Sequence, residues 1–136
     1  MSAKILVVED HSDTRELLVC ALELEGYTVI STGDGRSAIE RAKAEPPNLI
    51  ITDINMPGMD GIQMIKLIRG EPALREVPIL VISAYQSGII REALKAGADA
   101  AMKKPVEFEA LVKLILSLLS SMILMGLQFS LAYLSR

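Results

Sequence analysis

Cysteine occurs once in this chain, as Cys20, so no internal disulfide can form. A lone thiol suits a reducing compartment, and its place in a helical apolar pattern predicts a small core residue. Tryptophan is absent and aromatics make up only 4% of the residues. Lysines and arginines are scattered, with only Lys103-Lys104 adjacent, and the net charge is −3. Without a basic stripe or interleaved aromatics, direct nucleic-acid binding by these residues is not expected. No long apolar run precedes the first apolar stretch, which argues against a secretory signal. Internal repeats and flexible linkers are also missing. What remains is 136 residues, enough for one domain with a self-sufficient core.

Short apolar runs alternate with amphipathic stretches five times along this chain. Ile5–Val8 reads as a buried strand, and Leu17, Leu18, Ala21 and Leu22 have helical spacing up to a stop at Gly26. Tyr27–Ser31 is β-rich, Gly33 and Gly35 mark a turn, and a helix over Ser37–Ala44 ends at Pro46-Pro47. A third strand, Leu49–Thr52, leads into the loop Asp53–Gly61 and a helix over Ile62–Arg69. A fourth strand, Val77–Ile82, precedes a helix over Ser87–Ala96 and a short fifth strand, Ala100–Lys103. A last helix begins near Val106. This alternation predicts an α/β fold, a doubly wound parallel sheet with helices on both faces. Right-handed crossovers and ligand binding beyond the carboxyl ends of the strands go with that fold.

The strand ends carry Glu9-Asp10, Asp53, Ser83 and Lys104. Three carboxylates at one edge repel each other unless a cation neutralises them. An oxygen-only set with few ligands suits a hard ion that keeps some water, which favours Mg²⁺. A hydroxyl and an ammonium at neighbouring strand ends supply a donor and a countercharge for a phosphoryl group. One carboxylate is left as nucleophile. Taken singly, each residue reads as a turn acid, a loop serine or a surface lysine. Agreement at four different strand ends carries the signal.

With these residues in place, the chain resembles the response-regulator receiver domains of two-component signalling. The resemblance rests on Ile5-Leu6-Val7-Val8-Glu9-Asp10, Asp53-Ile54-Asn55-Met56-Pro57-Gly58-Met59-Asp60-Gly61, Ser83-Ala84, Gly97-Ala98-Asp99 and Lys104-Pro105. It spans Lys4 to about Ser120 and implies a flavodoxin-like, CheY-like sheet of order 2-1-3-4-5. It also implies that Asp53 is the phosphoacceptor, charged by a sensor histidine kinase or phosphotransfer protein. Glu9, Asp10, Asp53 and the Asn55 backbone carbonyl would be the Mg²⁺ ligands, and Ser83 and Lys104 would hold phosphoryl oxygens. Pro57, Gly58 and Gly61 would shape the loop, Lys104-Pro105 would be cis, and Ala84, Tyr85 and Ala101 would stand at switch positions. The family gives His11 no role, so it is read as a solvent-facing loop histidine.

The sequence departs from the family at two places. Ala101 stands where receivers usually carry Tyr or Phe, so switching is expected through the loop after Ser83 and the fourth helix. The second is a run of 22 uncharged residues, Leu114 to Ser135, of which 15 are apolar. The domain is therefore drawn as residues 1–120, with 121–136 as an apolar extension of the last helix. Phe108, Leu111, Val112, Ile115 and Leu119 have ordinary amphipathic spacing, which leaves too few residues for a comfortable membrane span. Homodimerisation through the extension is the preferred reading, against membrane attachment or a truncated end. The expectation is a cytoplasmic, single-domain response regulator, not an enzyme beyond slow self-dephosphorylation, with its kinase and downstream partner unspecified. Its rivals are a constitutive scaffold and an aspartyl-phosphate phosphohydrolase. The latter would place its nucleophile after the first strand, with a second Asp two residues on, where this chain has Asn55.

Overall fold

The computed structural model describes residues 2–84 and 87–120. The elements run β1 (Lys4–Val8), α1 (Ser12–Leu24), β2 (Thr28–Thr32), α2 (Gly35–Ala44), β3 (Leu49–Asp53), α3 (Gly61–Gly70), β4 (Ile79–Ser83), α4 (Ser87–Ala96) and β5 (Ala100–Lys103). All strand pairs are parallel, in the order β2-β1-β3-β4-β5. This is the expected doubly wound topology. Reversal of strand order between β2 and β3 puts α1 on the opposite face from α2, α3 and α4, given right-handed crossovers.

Strand alternation divides the core. Leu6, Val8, Ile50, Ile79 and Val81 join Ala38, Ala42, Met64, Ile65, Ile68 and Ala93 in one buried cluster. The intervening Ile5, Val7, Leu49, Ile51 and Leu80 are equally buried and face the other way. Central strands β3 and β4 are buried along their whole length, as a sheet covered on both faces requires.

Several local expectations need correction. Cys20 is exposed, not a core residue. Leu17 and Leu24 are exposed beside it, because positions 17, 20 and 24 share one side of a helix that buries only Leu22 completely. Gly35 opens α2 instead of belonging to the turn, since Asp34 caps the helix by accepting from the Ser37 N–H at 2.8 Å. β4 starts at Ile79, two residues later than expected. Val77 is tied back to Leu74 in a turn, and Pro78 has no N–H to give.

At the amino end of the sheet, Arg69 knots three segments together. Its guanidinium donates to the carbonyls of Gly97 (3.0 Å), Arg75 (2.9 Å) and Val77 (2.7 Å) and to Asp99 Oδ2 (2.8 Å). That same Asp99 oxygen accepts from the Ile79 N–H at 2.8 Å. A side chain at Gly97, whose φ is +126°, would lie 2.7 Å from Arg69 Cγ.

Contacts group Met1–Pro105 into one compact unit and Val106 onward into a second. In the second, residues 108–120 form the last helix, α5, with Leu111 and Ile115 buried and Leu116 exposed. No helix among the described residues is long and apolar enough to cross a membrane. The predicted extension 121–136, and with it the readings of dimerisation or anchoring, lies outside the described residues.

Two stability predictions follow from these contacts. Arg69→Met leaves three carbonyls and a carboxylate without their donor and should cost about 3 kcal/mol in urea unfolding, with Arg69→Lys recovering only part. The Asp34 carboxyl is held below its usual range by the Ser37 N–H and hydroxyl. A depressed acid contributes stability above its unfolded pKa and loses it as pH falls through the folded one. Asp34→Ala should therefore cost about 1 kcal/mol at neutral pH, and its deficit should shrink once pH drops below 3.8.

Candidate functional site

Register alone brings the predicted residues together. Val8 pairs with Thr52, so Glu9 and Asp53 emerge side by side at the carboxyl edge. Asp53 pairs with Ile82, and Ser83 with Lys103. The Lys104 N–H then donates to the Ser83 carbonyl at 2.9 Å, which carries the lysine across the same edge. Five residues from four separated stretches thus meet where the crossovers leave a crevice.

Asp53 is buried and held on both oxygens. Oδ1 accepts from the backbone N–H of Ile54 (2.7 Å) and Asn55 (3.2 Å), and Oδ2 accepts from Lys104 Nζ (2.7 Å). Lys104 Nζ also lies 3.6 Å from Glu9 Oε2. Burial works against the lysine's charge, yet the hydrogen bond and charge of Asp53, helped by Glu9, outweigh it and raise its pKa. Glu9 is pushed above the usual carboxylate range, chiefly by burial and then by Asp53, with Lys104 opposing. Its Oε1 is buried without a hydrogen-bond partner.

The loop after β3 is shaped by close backbone approach. The Gly61 N–H donates to the Ile54 carbonyl at 2.8 Å, and a Cβ at Gly61 would stand 2.5 Å from the Asp53 carbonyl oxygen. Gly58 has φ +79°, a left-handed conformation suited to glycine. Asp60 and Gln63 form a reciprocal cap at the start of α3. Pro57 and Asn55 are exposed on this loop. The Lys104-Pro105 peptide is cis, as the resemblance implies.

Of the remaining predicted positions, Ser83 is fully buried at the end of β4 and Ala84 is exposed just after it. Ala101 pairs with Val81 and packs against the core cluster, one layer below the site. Tyr85 lies outside the described residues.

Sequence reasoning missed Arg15. Its guanidinium donates to the Glu9 carbonyl at 2.7 Å and reaches the Asp10 carbonyl at 3.5 Å, bracing the backbone that presents both acids. The available signal was a cation near the start of α1, where the helix dipole disfavours it. His11 is exposed, as expected, but its Nδ1 sits 3.7 Å from both Glu9 Oε1 and Asp10 Oδ1.

Acceptor-only oxygens, one of them buried and orphaned, fit a hard divalent cation, which would satisfy Glu9 Oε1 and relieve the repulsion among the acids.

The chain is similar to known proteins along most of its length. The family described as response regulator receiver domain matches residues 5–116. This chain belongs to that family. The receiver is 39% identical over 120 residues to the alkaline phosphatase synthesis transcriptional regulatory protein PhoP of Bacillus subtilis, covering 85% of this chain and 49% of PhoP. Among solved structures it resembles chemotaxis protein CheY4 of Vibrio cholerae, with TM-score 0.83 and 31% identity over 87% of this chain and 99% of that one. It also resembles the receiver domain of sensor histidine kinase PA1611 from Pseudomonas aeruginosa, with TM-score 0.83 and 26% identity over 88% and 99% of the two chains. That structure has a magnesium ion coordinated in its active-site cleft. The receiver spans about half the length of PhoP and 24% of another curated relative, the response regulator PleD of Caulobacter vibrioides.

With Lys104 facing only its Oε2, Glu9 keeps a buried Oε1 without a hydrogen-bond partner, which makes it a liability in the metal-free receiver. In chelator-treated protein at neutral pH, Glu9→Gln should raise the unfolding free energy by about 1 kcal/mol. A fall in the urea midpoint would contradict this account of the site.

Proposed function

We propose that the receiver accepts a phosphoryl group on Asp53 from a phosphohistidine of a sensor kinase or phosphotransfer protein. The observation that carries this reading is the pairing of buried Asp53 with Lys104 at 2.7 Å, beside Glu9, on the carboxyl edge of the sheet. An Asp53 oxygen attacks phosphorus in line. The O–P bond forms as the P–N bond breaks, and the imidazole leaves with the bonding electrons. The backbone N–H groups of Ile54 and Asn55 fix the carboxylate's orientation, so little reorganisation is needed at the moment of transfer. Lys104 then pairs with a phosphoryl oxygen, and the Ser83 hydroxyl donates to another.

Glu9, Asp10, Asp53 and the Asn55 carbonyl would hold Mg²⁺. The bound ion supplies charge neutralisation for the acids and for the incoming phosphoryl oxygens. The acyl phosphate is lost again by slow attack of water. Signalling goes through the segment after Ser83 and α4, because Ala101 on β5 supplies no ring to swing. The run Leu114–Ser135 is read as a means of self-association between two copies.

Acetyl phosphate with Mg²⁺ should add one phosphoryl mass to the intact chain. Asp53→Ala or chelation by EDTA should abolish the adduct, and Lys104→Met should slow its formation at least tenfold, of order 1.4 kcal/mol in barrier. A full-yield adduct on the Asp53→Ala protein would overturn the assignment.

A further inference from the structure

We propose that His11 turns this metal site into a mixed oxygen–nitrogen one. Its Nδ1 joins the Glu9 and Asp10 carboxylates as a ligand, so that the site gains affinity for a borderline divalent ion such as Co²⁺ beyond what its oxygens alone supply. The inference rests on the metal-site reading above and adds to it a ligand and the affinity that ligand brings.

The geometry divides the two oxygens of Glu9 between two neighbours. Oε2 faces Lys104 Nζ at 3.6 Å, and Oε1 faces His11 Nδ1 at 3.7 Å. The same imidazole nitrogen is 3.7 Å from Asp10 Oδ1. One ligand atom from each of Glu9, Asp10 and His11 lies within 4.8 Å of the others. Ligands of one octahedral ion stand about 3 Å apart. Closing the gap takes only a small swing of an exposed ring.

One observation beyond the cluster itself points to a ligand here. Glu9 is 4% exposed and its Oε1, the atom aimed at His11, has no hydrogen-bond partner. His11 also occupies the N-cap position of α1, yet makes no side-chain capping bond. Its Nδ1 is therefore not spent on the helix and is turned toward the carboxylates instead. Carboxylates alone favour hard ions, whereas imidazole adds affinity for later first-row metals and little for Mg²⁺.

The test uses the full chain, wild type and His11→Ala, titrated calorimetrically with Co²⁺ and with Mg²⁺, and with Mg²⁺ competing against Co²⁺. Wild type should bind Co²⁺ at least tenfold more tightly than Mg²⁺, and Mg²⁺ should displace it. His11→Ala should lose roughly tenfold in Co²⁺ affinity while its Mg²⁺ affinity stays within about twofold. In the Co²⁺ form, proton spectra should show a hyperfine-shifted imidazole N–H that is missing from the variant. The exposed position makes His11→Ala safe for folding, and circular dichroism checks that it is. Unchanged Co²⁺ affinity in the variant, with Mg²⁺ still bound by both proteins, overturns the role of His11 alone. Failure of wild type to bind either ion overturns the metal-site reading and this inference with it.

Discussion

Three acidic side chains at one edge of a sheet repel each other, and the receiver is organised around containing that repulsion. In the metal-free protein the containment falls to Lys104, whose ammonium lies between Asp53 and Glu9. The lysine can serve there only because the Lys104 N–H is bonded to the Ser83 carbonyl, which lashes the segment after β5 to the end of β4. The compensation is incomplete. Lys104 reaches Oε2 of Glu9 and leaves Oε1 orphaned in the interior, so the site retains an unsatisfied demand for positive charge. A binding site of this kind is held at a cost to stability that its ligand relieves.

The two ends of the sheet contrast in that respect. At the amino end, Arg69 and Asp99 tie α3, the turn before β4 and the segment leading into β5 together through five hydrogen bonds. At the carboxyl end, polar groups are packed more tightly than their charges allow. The amino end is tied together by these bonds, whereas the carboxyl end holds a buried side-chain oxygen, Glu9 Oε1, that lacks a hydrogen-bond partner.

Much of this was legible in the residues. The five apolar runs and the glycine and proline stops were enough to draw a doubly wound parallel sheet, and the residues just after its strands to name Glu9, Asp10, Asp53, Ser83 and Lys104, while the strand order came from the family resemblance. Less legible were the contacts made by long side chains. Arg15 reads as a surface cation until the fold brings its guanidinium under the Glu9 carbonyl, and His11 reads as a loop residue until its ring is seen against two carboxylates. Cys20 and Leu17 misled because helical spacing says that two sides of α1 differ, without saying which one meets the sheet.

The sequence by itself determined the element types and the chemistry available at each strand end, because periodicity and turn residues act over a few positions and need no partner. The tertiary structure alone decided which oxygen meets which cation. Whether Lys104 satisfies one oxygen of Glu9 or both depends on strand register and side-chain reach across residues far apart in the chain, and whether His11 faces water or the neighbouring carboxylates depends on how the loop after β1 turns. Those distances of a few ångströms decide whether a carboxylate is paired or orphaned, and no local pattern encodes them.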